Sequence, residues 1–344
     1  MGVFKVKLSL YKSPRVAVSI FGRCGTETPL DTRWGKFLEI LGNFNVTLAP
    51  LDETEIDFFV SIDYSQASFD LVSRKSRLRH RVLVAVEPPS VNPAQFELQN
   101  YTKFDSIIAP PTLVKYFSKA TSWTPGFIDK TSYQSSIDVP EFTSRPITFG
   151  LLSSNKYSPF KSSLYELRKE IVLEFARKNV PVIIGGSDWD KNKFWNLSQF
   201  VKEAILYRSY LNKETFHFSS SLVHLRRNHY NYIGKVVSSI DFYRKVKFVI
   251  CIESDIDDFS EKLFEVNLAG AVPLYVGPDG IENFGVASNA FVPMPRTSKE
   301  FVHKALEVSI RLEGENSPVP GSEWLVNWKT EDSFRALCQK ILEK

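Results

Sequence analysis

The sequence predicts an α/β protein with two domains, each built on a parallel sheet. Apolar runs such as residues 248–252 and Val272–Val276 have no polar alternation, which is typical of parallel strands covered on both faces. Segments with helical spacing of apolar residues separate these runs, as expected for strand–helix–strand units. At 344 residues the chain is also long for one sheet, so two domains of roughly 150 residues each are expected.

The N-terminal domain is predicted over residues 1–128. Its first strand, Arg15–Ile20, ends at a polar Gly-rich turn, and a helix is predicted over residues 34–41. Further strands are predicted over residues 45–48, 57–62, 81–86 and 104–109. A basic run at residues 74–81 has no interleaved aromatic residue, so we interpret it as a solvated helix end and expect no nucleic-acid partner.

A polar stretch, residues 129–146, lacks hydrophobic periodicity and is rich in turn-forming residues, which predicts the interdomain linker. The nucleotide-binding domain is predicted over residues 147–320. It is expected to begin with the strand Ile147–Leu152 and to include a helix near Ser298–Leu312. Within it, residues 187–231 are interpreted as an insertion of unknown role. The three histidines of this insertion show no pair at i, i+4 spacing on a helix face, so a metal site is not favoured. Residues 321–344 contain a last amphipathic helix, predicted over residues 324–342, which we expect to pack back on the N-terminal domain.

Residues 248–278 form the most informative stretch. A buried strand is followed by an acidic loop at residues 253–258, and Ser260 is placed to cap a helix. Gly270 ends that helix, and Val272–Val276 is a second buried strand. Polar residues therefore follow the carboxyl end of a parallel strand, where open α/β sheets bind their ligands.

This order of residues resembles the donor-binding signature of the α1,3/4-fucosyltransferases. That family has F-E-N-S, a short loop, D-Y-x-T-E-K, and then A-G-x-V-P and G-P. Here Ser254 replaces the Asn, Phe259 replaces the Tyr, Ser260 replaces the Thr, and the loop is shorter. A second similar patch has Ser154-Asn155 in place of S-N-P. Lys161, at the predicted start of the helix that follows, stands in place of an Arg four residues before an aromatic residue.

The resemblance implies a GT-B-like fold, with two Rossmann-like domains facing a central cleft. It also implies an inverting glycosyltransferase that binds the acceptor in its N-terminal half and the nucleotide sugar in its C-terminal half. Within the second half, the resemblance assigns the nucleotide sugar to Asn155, Lys161, Glu253, Ser254, Phe259, Glu261 and Lys262. Of these, Lys161 and Lys262 would contact the phosphates and Glu261 the ribose hydroxyls.

The departing diphosphate requires positive charge, which either a metal ion or cationic groups can supply. The D-x-D pairs Asp255–Asp257 and Asp188–Asp190 are candidates for metal binding, but this spacing arises often by chance in acidic loops. Lys262 is predicted in the first turn of a helix, where a cation is unfavourable unless an anion binds beside it. We therefore expect no metal and no other cofactor.

Glu87 is the candidate catalytic base. It follows the predicted strand 81–86 and precedes two prolines, so its backbone is rigid. A carboxylate held at a strand end can accept the proton of an acceptor hydroxyl. The fucosyltransferases carry their proposed base in a similar context, written E-S-P or E-N with a following Pro.

Together these features predict transfer of L-fucose from GDP-fucose to a glycan hydroxyl by direct displacement. UDP-xylose or UDP-galactose are alternative donors, because Ser254 and the short loop alter the pocket. A relative that binds nucleotide or glycan without turnover is a further alternative. The sequence indicates neither the acceptor, the linkage nor the oligomeric state.

No apolar run in the first residues is long enough for a signal or transmembrane helix, and the three cysteines form no disulfide or zinc pattern. A soluble protein in the reducing cytoplasm is expected. The net charge of +4 permits an anionic ligand without requiring nucleic acid.

Overall fold

A computed structural model of the chain describes residues 13–74, 78–127, 139–156, 158, 160–189, 230–313, 324–325 and 328–343. Its strands are β1 (Arg15–Ile20), β2 (Arg23–Cys24), β3 (Thr47–Ala49), β4 (Phe58–Ile62), β5 (His80–Val84), β6 (Ser106–Ala109), β7 (Thr121–Ser122), β8 (Ile147–Leu152), β9 (Val182–Gly185), β10 (Asn231–Gly234), β11 (Val246–Ile252), β12 (Val272–Val276) and β13 (Val292–Pro293). Its α-helices are α1 (Arg33–Gly42), α2 (Gln66–Ser73), α3 (Leu98–Tyr101), α4 (Tyr165–Arg177), α5 (Ser239–Tyr243), α6 (Lys262–Leu268), α7 (Ser298–Leu312) and α8 (Thr330–Leu342).

The first sheet has the order β2–β1–β4–β5–β6–β7, with β3 also paired to β1. Its pairs are parallel except β1 with β2. Alternate residues of β1 face opposite layers: Val16 and Val18 pack with α1 and α8, whereas Ala17 packs with Phe59 on the other face. Both faces are covered, which explains why these strands are apolar without alternation.

The second sheet has the order β10–β9–β8–β11–β12–β13, and its pairs are parallel. From β8 the chain winds outward through β9 to β10 and then returns to place β11 on the other side of β8. This reversal makes a topological switch point between β8 and β11. In the first sheet the same reversal lies between β1 and β4, because β3 follows β1 on one side and β4 lies on the other. Ligands of open α/β sheets bind outside the carboxyl ends of the strands at such points.

The predicted α/β class with two parallel sheets is confirmed. The strands Arg15–Ile20, Ile147–Leu152 and Val272–Val276 and the helix Ser298–Leu312 have the predicted bounds. One helix start differs in a way that matters for the site: α4 begins at Tyr165. Lys161 was predicted at the start of this helix, and it lies instead in an exposed turn before it.

The last helix begins at Thr330, later than the predicted residue 324. The reason is packing, because Leu325 and Trp328 are buried in the hydrophobic core of the second domain before the chain reaches α8. At the crossing, Phe127 N–H donates to the Trp328 carbonyl at 3.0 Å. Helix α8 then packs against α1 of the first domain, with Phe334 fully buried.

The described end of the predicted linker is part of the second domain. Phe142 contacts Phe248 with ring centroids 5.4 Å apart. Arg145 is 4% exposed and donates to the backbone carbonyls of Pro140, Tyr243, Val246 and Ala269. A guanidinium buried in this way fixes the chain where it enters β8.

The predicted insertion lies mostly outside the described residues, and so do its three histidines. Its two described ends meet, because Trp189 and Tyr230 lie with ring centroids 6.0 Å apart. In the described part of the chain, no helix is long and apolar enough to cross a membrane.

Candidate active site

Two loops meet across the switch point of the second sheet: the loop after β8 and the loop after β11. Leu164 N–H donates to the Ser254 carbonyl at 3.0 Å, and Ile256 N–H donates to the Ser162 carbonyl at 2.9 Å. The Ser162 hydroxyl also donates to Asp255 Oδ2 at 2.7 Å. These bonds make the two loops that carry the predicted donor residues one connected surface.

Glu253 and Lys262 form a buried ion pair in this surface. Lys262 Nζ lies 2.8 Å from Glu253 Oε2, and the carboxylate also accepts the Ser260 hydroxyl at 2.7 Å and the Ser260 N–H at 3.2 Å. Burial would lower the pKa of Lys262, but the negative charges of Glu253, Asp258 and Glu261 together outweigh burial and raise that pKa. Glu253 is fully buried, so it anchors Lys262 and does not itself reach a ligand in the cleft.

Lys262 keeps some access to the cleft, because its side chain is 20% exposed. Its ammonium group has three donors, and Glu253 and the Ser260 hydroxyl accept from it. One N–H can therefore still be offered to an anion. Lys262 is therefore a cation whose position is fixed at the carboxyl end of β11.

Two charged residues that sequence reasoning did not assign lie close to this pair. Asp258 accepts the Ser254 N–H at 3.2 Å, and its pKa is raised to about 7 by burial and by the charge of Glu253. Arg168, in the first turn of α4, is 3% exposed and donates to the Ile252 carbonyl at 2.8 Å. Burial lowers the pKa of Arg168, while the charges of Glu253 and Asp258 act in the opposite direction.

The remaining predicted residues of the β11 loop divide into a packing residue and a cleft residue. Phe259 packs against Phe127, Phe264 and Trp328, with centroids 5.5–5.7 Å apart, so it fixes the end of the loop. Glu261 is exposed, and its charge acts on Glu87 of the first domain. Glu261 therefore faces the space between the domains.

In the β8 loop, Asn155 joins neighbouring loops. Its side-chain amide donates to the Asp188 carbonyl at 3.1 Å, and its N–H donates to the Ser187 carbonyl at 2.9 Å. Lys161 is exposed, and Lys156, which no sequence motif marks, is the exposed lysine of this loop whose charge acts on Glu87. The loop thus brings Lys156 close enough to Glu87 for its charge to act there.

Glu87 follows β5 at the carboxyl edge of the first sheet, where Asp63 fixes its backbone. Asp63 Oδ1 accepts the N–H groups of Val86 at 2.7 Å and of Glu87 at 3.1 Å, and the Gln95 amide donates to the Glu87 carbonyl at 2.5 Å. Burial raises the pKa of Glu87 to about 7, and the negative charges of Asp63 and Glu261 act in the same direction. A carboxyl with this pKa exchanges its proton readily near neutral pH.

Asp63 is the second carboxyl of this edge and has unusual features of its own. It is 1% exposed, and its φ of 56° lies in the left-handed region. Burial raises its pKa to about 6, while the N–H groups of Val86 and Glu87 and the nearby Gln95 amide lower it. Its Oδ2 atom is buried without a well-aligned hydrogen-bond partner in the described residues. Such a strained, incompletely satisfied carboxyl is typical of a functional site.

Charges from both domains converge on Glu87. Lys156 and Lys262 of the second domain lower its pKa. In return, the charges of Glu87 and Glu261 act to raise the pKa of the Arg33 guanidinium on α1. The domains also touch beside it, where the Ser158 hydroxyl donates to the Ser90 carbonyl at 3.0 Å. Glu87 therefore lies in the cleft and faces the loops of the second domain that carry Lys156 and Lys262.

The Asp255–Asp257 pair is used in contacts within the protein. Asp255 accepts the Asp257 N–H at 3.1 Å in addition to the Ser162 hydroxyl. Asp257 accepts Lys115 Nζ at 2.7 Å and the Tyr116 hydroxyl at 2.5 Å, and both donors belong to the first domain. Among the described residues, no group of three or more His, Cys, Asp or Glu side chains is placed to hold a metal ion.

No protein-family model matches this sequence, and no curated protein matches it. Similar solved structures do exist. An α1,3-fucosyltransferase is 14% identical with a TM-score of 0.55, over 98% of this chain and 93% of that one. An α-glucosyltransferase in complex with UDP and a 13-mer DNA is 9% identical with a TM-score of 0.57, over 96% of this chain and 100% of that one. A glycosyltransferase from Rickettsia africae is 11% identical with a TM-score of 0.52, over 97% of this chain and 100% of that one. The fold is therefore that of the GT-B glycosyltransferases.

Proposed function

We propose that this chain is an inverting glycosyltransferase that moves a sugar from a nucleotide sugar to a hydroxyl of a glycan. The observation that carries the proposal is the position of Glu87. A carboxyl with a pKa of about 7 lies at the ligand-binding edge of one sheet, and it interacts with Lys156 and Lys262 at the same edge of the other. A general base opposite cations is the arrangement that transfer from a sugar diphosphate requires.

In the proposed reaction, the acceptor hydroxyl gives its proton to the Glu87 carboxylate. The acceptor oxygen forms a bond to the anomeric carbon while the bond from that carbon to the diphosphate oxygen breaks, and the configuration inverts. The electron pair of the broken bond leaves with the diphosphate, beside Lys262 and Lys156. Glu87 then releases its proton to water, which a pKa of about 7 makes easy near neutral pH.

We propose L-fucose from GDP-fucose as the transferred sugar, because the β11 loop carries most of the fucosyltransferase signature. UDP-xylose and UDP-galactose remain alternatives, since Ser254 and the shorter loop change the region where the sugar would lie. No metal is required in this proposal. Positive charge comes from Lys262 and Lys156, whereas Asp255 and Asp257 already accept hydrogen bonds within the protein.

Nucleotide binding followed by product analysis tests the proposal. Thermal unfolding with GDP, UDP and CMP should show stabilisation by one of them, about 2.7 kcal/mol at 100 times its dissociation constant. The matching nucleotide sugar should then be consumed, and the anomeric configuration of the product should be opposite to that of the donor. A protein stabilised by none of the three nucleotides would contradict the proposal. A retained configuration would exclude the single-displacement mechanism.

A further inference from the structure

Phe21 is an exposed aromatic residue held in a strained backbone conformation. It immediately follows β1, has a φ of 50°, and is 47% exposed. The left-handed region is uncommon for any residue except glycine and is a genuine outlier for a bulky side chain. Its N–H donates to the Ile62 carbonyl at 3.0 Å, so its backbone is fixed to the end of β4. Neither strain nor exposure of this ring favours the folded state.

The ring of Phe21 rests on other aromatic residues. It meets Trp34 edge-on, with centroids 6.0 Å apart and an interplanar angle of 80°. Trp34 in turn contacts Phe37 at 5.8 Å and Phe334 at 5.5 Å, and both of these are fully buried. The exposed ring is therefore backed by a rigid core and presents a fixed surface.

The position of Phe21 is the ligand-binding edge of the first sheet. It follows β1, Asp63 follows β4 and Glu87 lies beyond β5, and these three strands are neighbours in that order. Parallel strands are about 4.8 Å apart, so Phe21 is separated by roughly 10 Å from Ala85, which is level with it across β4, and Glu87 lies two residues beyond Ala85. The switch point of this sheet lies between β1 and β4, directly at Phe21. Arg33 links the two places, since its guanidinium lies 5.9 Å from the Trp34 ring and feels the charge of Glu87.

A carbohydrate fits this surface better than a protein or a nucleotide does. One supported ring offers far less than the roughly 1,000 Å² that a specific protein interface buries. The nucleotide has its proposed place on the second sheet, beside Lys262. A pyranose ring has one face of C–H groups, which packs on an aromatic ring while its hydroxyls remain available to polar neighbours.

We propose that Phe21 is the platform on which the acceptor carbohydrate stacks, one or two sugar units from the hydroxyl that Glu87 deprotonates. The inference rests on the proposed function and deepens it. It assigns the acceptor to the switch point of the first sheet and requires an acceptor with an exposed apolar sugar face. The strain at Phe21 is then retained for binding, because glycine or asparagine would suit the backbone better.

Direct binding of four disaccharide probes tests the platform: lactose, N-acetyllactosamine, cellobiose and maltose. Binding is followed by saturation-transfer NMR and by the fluorescence of the neighbouring Trp34. At least one probe should bind the wild-type protein, and Phe21→Ala should weaken that binding roughly 3- to 10-fold. Phe21→Tyr should restore it. Ile310→Ala, a matched loss of exposed apolar surface on α7, should leave it unchanged.

The same variants separate this inference from the proposed function. Nucleotide binding and hydrolysis of the donor by water do not use the platform, so Phe21→Ala should leave both unchanged while raising the acceptor KM. If the wild-type protein shows neither nucleotide binding nor donor hydrolysis, the proposed function is overturned and the inference with it. Normal donor hydrolysis with no probe bound, or with equal probe binding in wild type and Phe21→Ala, would overturn the inference alone.

Unfolding in urea checks that the variants fold. Phe21→Asn relieves the left-handed strain, since asparagine tolerates this region, and it should unfold at equal or higher urea concentration than the wild-type protein. It should nevertheless bind the probe as weakly as Phe21→Ala. A Phe21→Asn protein that is destabilised and still binds normally would show that the ring serves the fold and not a ligand.

Discussion

Replacing Glu87 by Gln tests both the catalytic role of its carboxyl and the effect of that carboxyl on stability. Burial, with the charges of Asp63 and Glu261, raises the pKa of Glu87 from an ordinary value of 4.5 to about 7. The folded state therefore holds this proton more tightly than the unfolded chain does. The stabilisation from this proton is complete below pH 4.5 and is lost as the pH rises through 7.

The size of the effect follows from the same shift. Each unit of pKa corresponds to about 1.4 kcal/mol, so full ionisation of Glu87 disfavours folding by at most roughly 3 kcal/mol. Water reaches part of this side chain, and we expect about 1–2 kcal/mol. Glu87→Gln cannot ionise, so it should unfold with a higher free energy than wild type at pH 8. At pH 4.5 the two proteins should be equally stable.

The same substitution should remove most of the activity. Glutamine keeps the size and shape of the side chain but has almost no basicity, so the transfer rate should fall about 10²- to 10⁴-fold. The nucleotide should still bind at least as tightly as it binds the wild-type protein, because Glu87 lies outside the proposed nucleotide site and its negative charge opposes an anionic ligand. Urea unfolding at pH 4.5 and pH 8, calorimetric nucleotide binding and single-turnover transfer can be measured on one preparation.

Glu265→Gln is the matched control. Glu265 lies on α6, and burial with the charge of Glu261 raises its pKa to about 7 as well. This variant should show a gain in stability of the same sign and retain wild-type transfer. If Glu87→Gln transfers sugar at a near-normal rate, Glu87 is not the base. If neither variant gains stability at pH 8, the carboxyls are better solvated than the structure shows.

Three further predictions concern the surroundings of Glu87. Asp63→Asn keeps an oxygen for the backbone N–H groups and removes a charge that raises the pKa of Glu87. The rise in transfer rate on the acid side of the pH–rate profile should therefore move to lower pH. An unmoved rise would show that Asp63 only holds the backbone. Lys262→Ala leaves the buried Glu253 carboxylate without its cation and should cost about 3–5 kcal/mol in unfolding free energy. Adding Glu253→Gln to this variant should restore most of the stability, while its nucleotide affinity stays roughly ten- to a hundredfold below that of the wild-type protein. A normal affinity would show that Lys262 does not contact the donor. Excess EDTA should leave the transfer rate unchanged, and a loss that Mn²⁺ reverses would show that a metal acts in the reaction.

The sheets were predictable because their strands are covered on both faces and must be apolar throughout. Val272–Val276 is fully buried, and a run of five apolar residues between turn formers is too short for most helices and favours a buried strand. The start of α4 was not predictable in the same way. Lys161 and Ser162 could begin a helix by composition, but Ser162 is bonded to Asp255 of a distant loop. Contacts from outside the segment decided where the helix begins.

In the site, as in the fold, features that depend on neighbouring residues in the sequence were predictable, and features that depend on distant residues were not. Glu87 was predicted as the base because it follows a strand and precedes two prolines. Asp63 follows the neighbouring strand in the same manner, so the rule that placed Glu87 could have assigned it a role as well. No spacing in the sequence indicates that Asp63 binds the N–H of a residue 24 positions later. Likewise, the pairing of Lys262 with Glu253 depends on how the loop folds back onto its own strand.

The charge pattern around Glu87 would reconcile two conflicting demands of the proposed reaction. A general base must be ionised, which Asp63 and Glu261 oppose because they raise its pKa. An anionic donor bound nearby would raise that pKa further and hold Glu87 in the protonated, inactive form. Lys156 and Lys262 act in the other direction, and they lie on the side where the diphosphate is proposed to bind. In the proposed reaction, cations in that place would serve both steps, because they would attract the leaving group and keep the base ionised while the donor is bound.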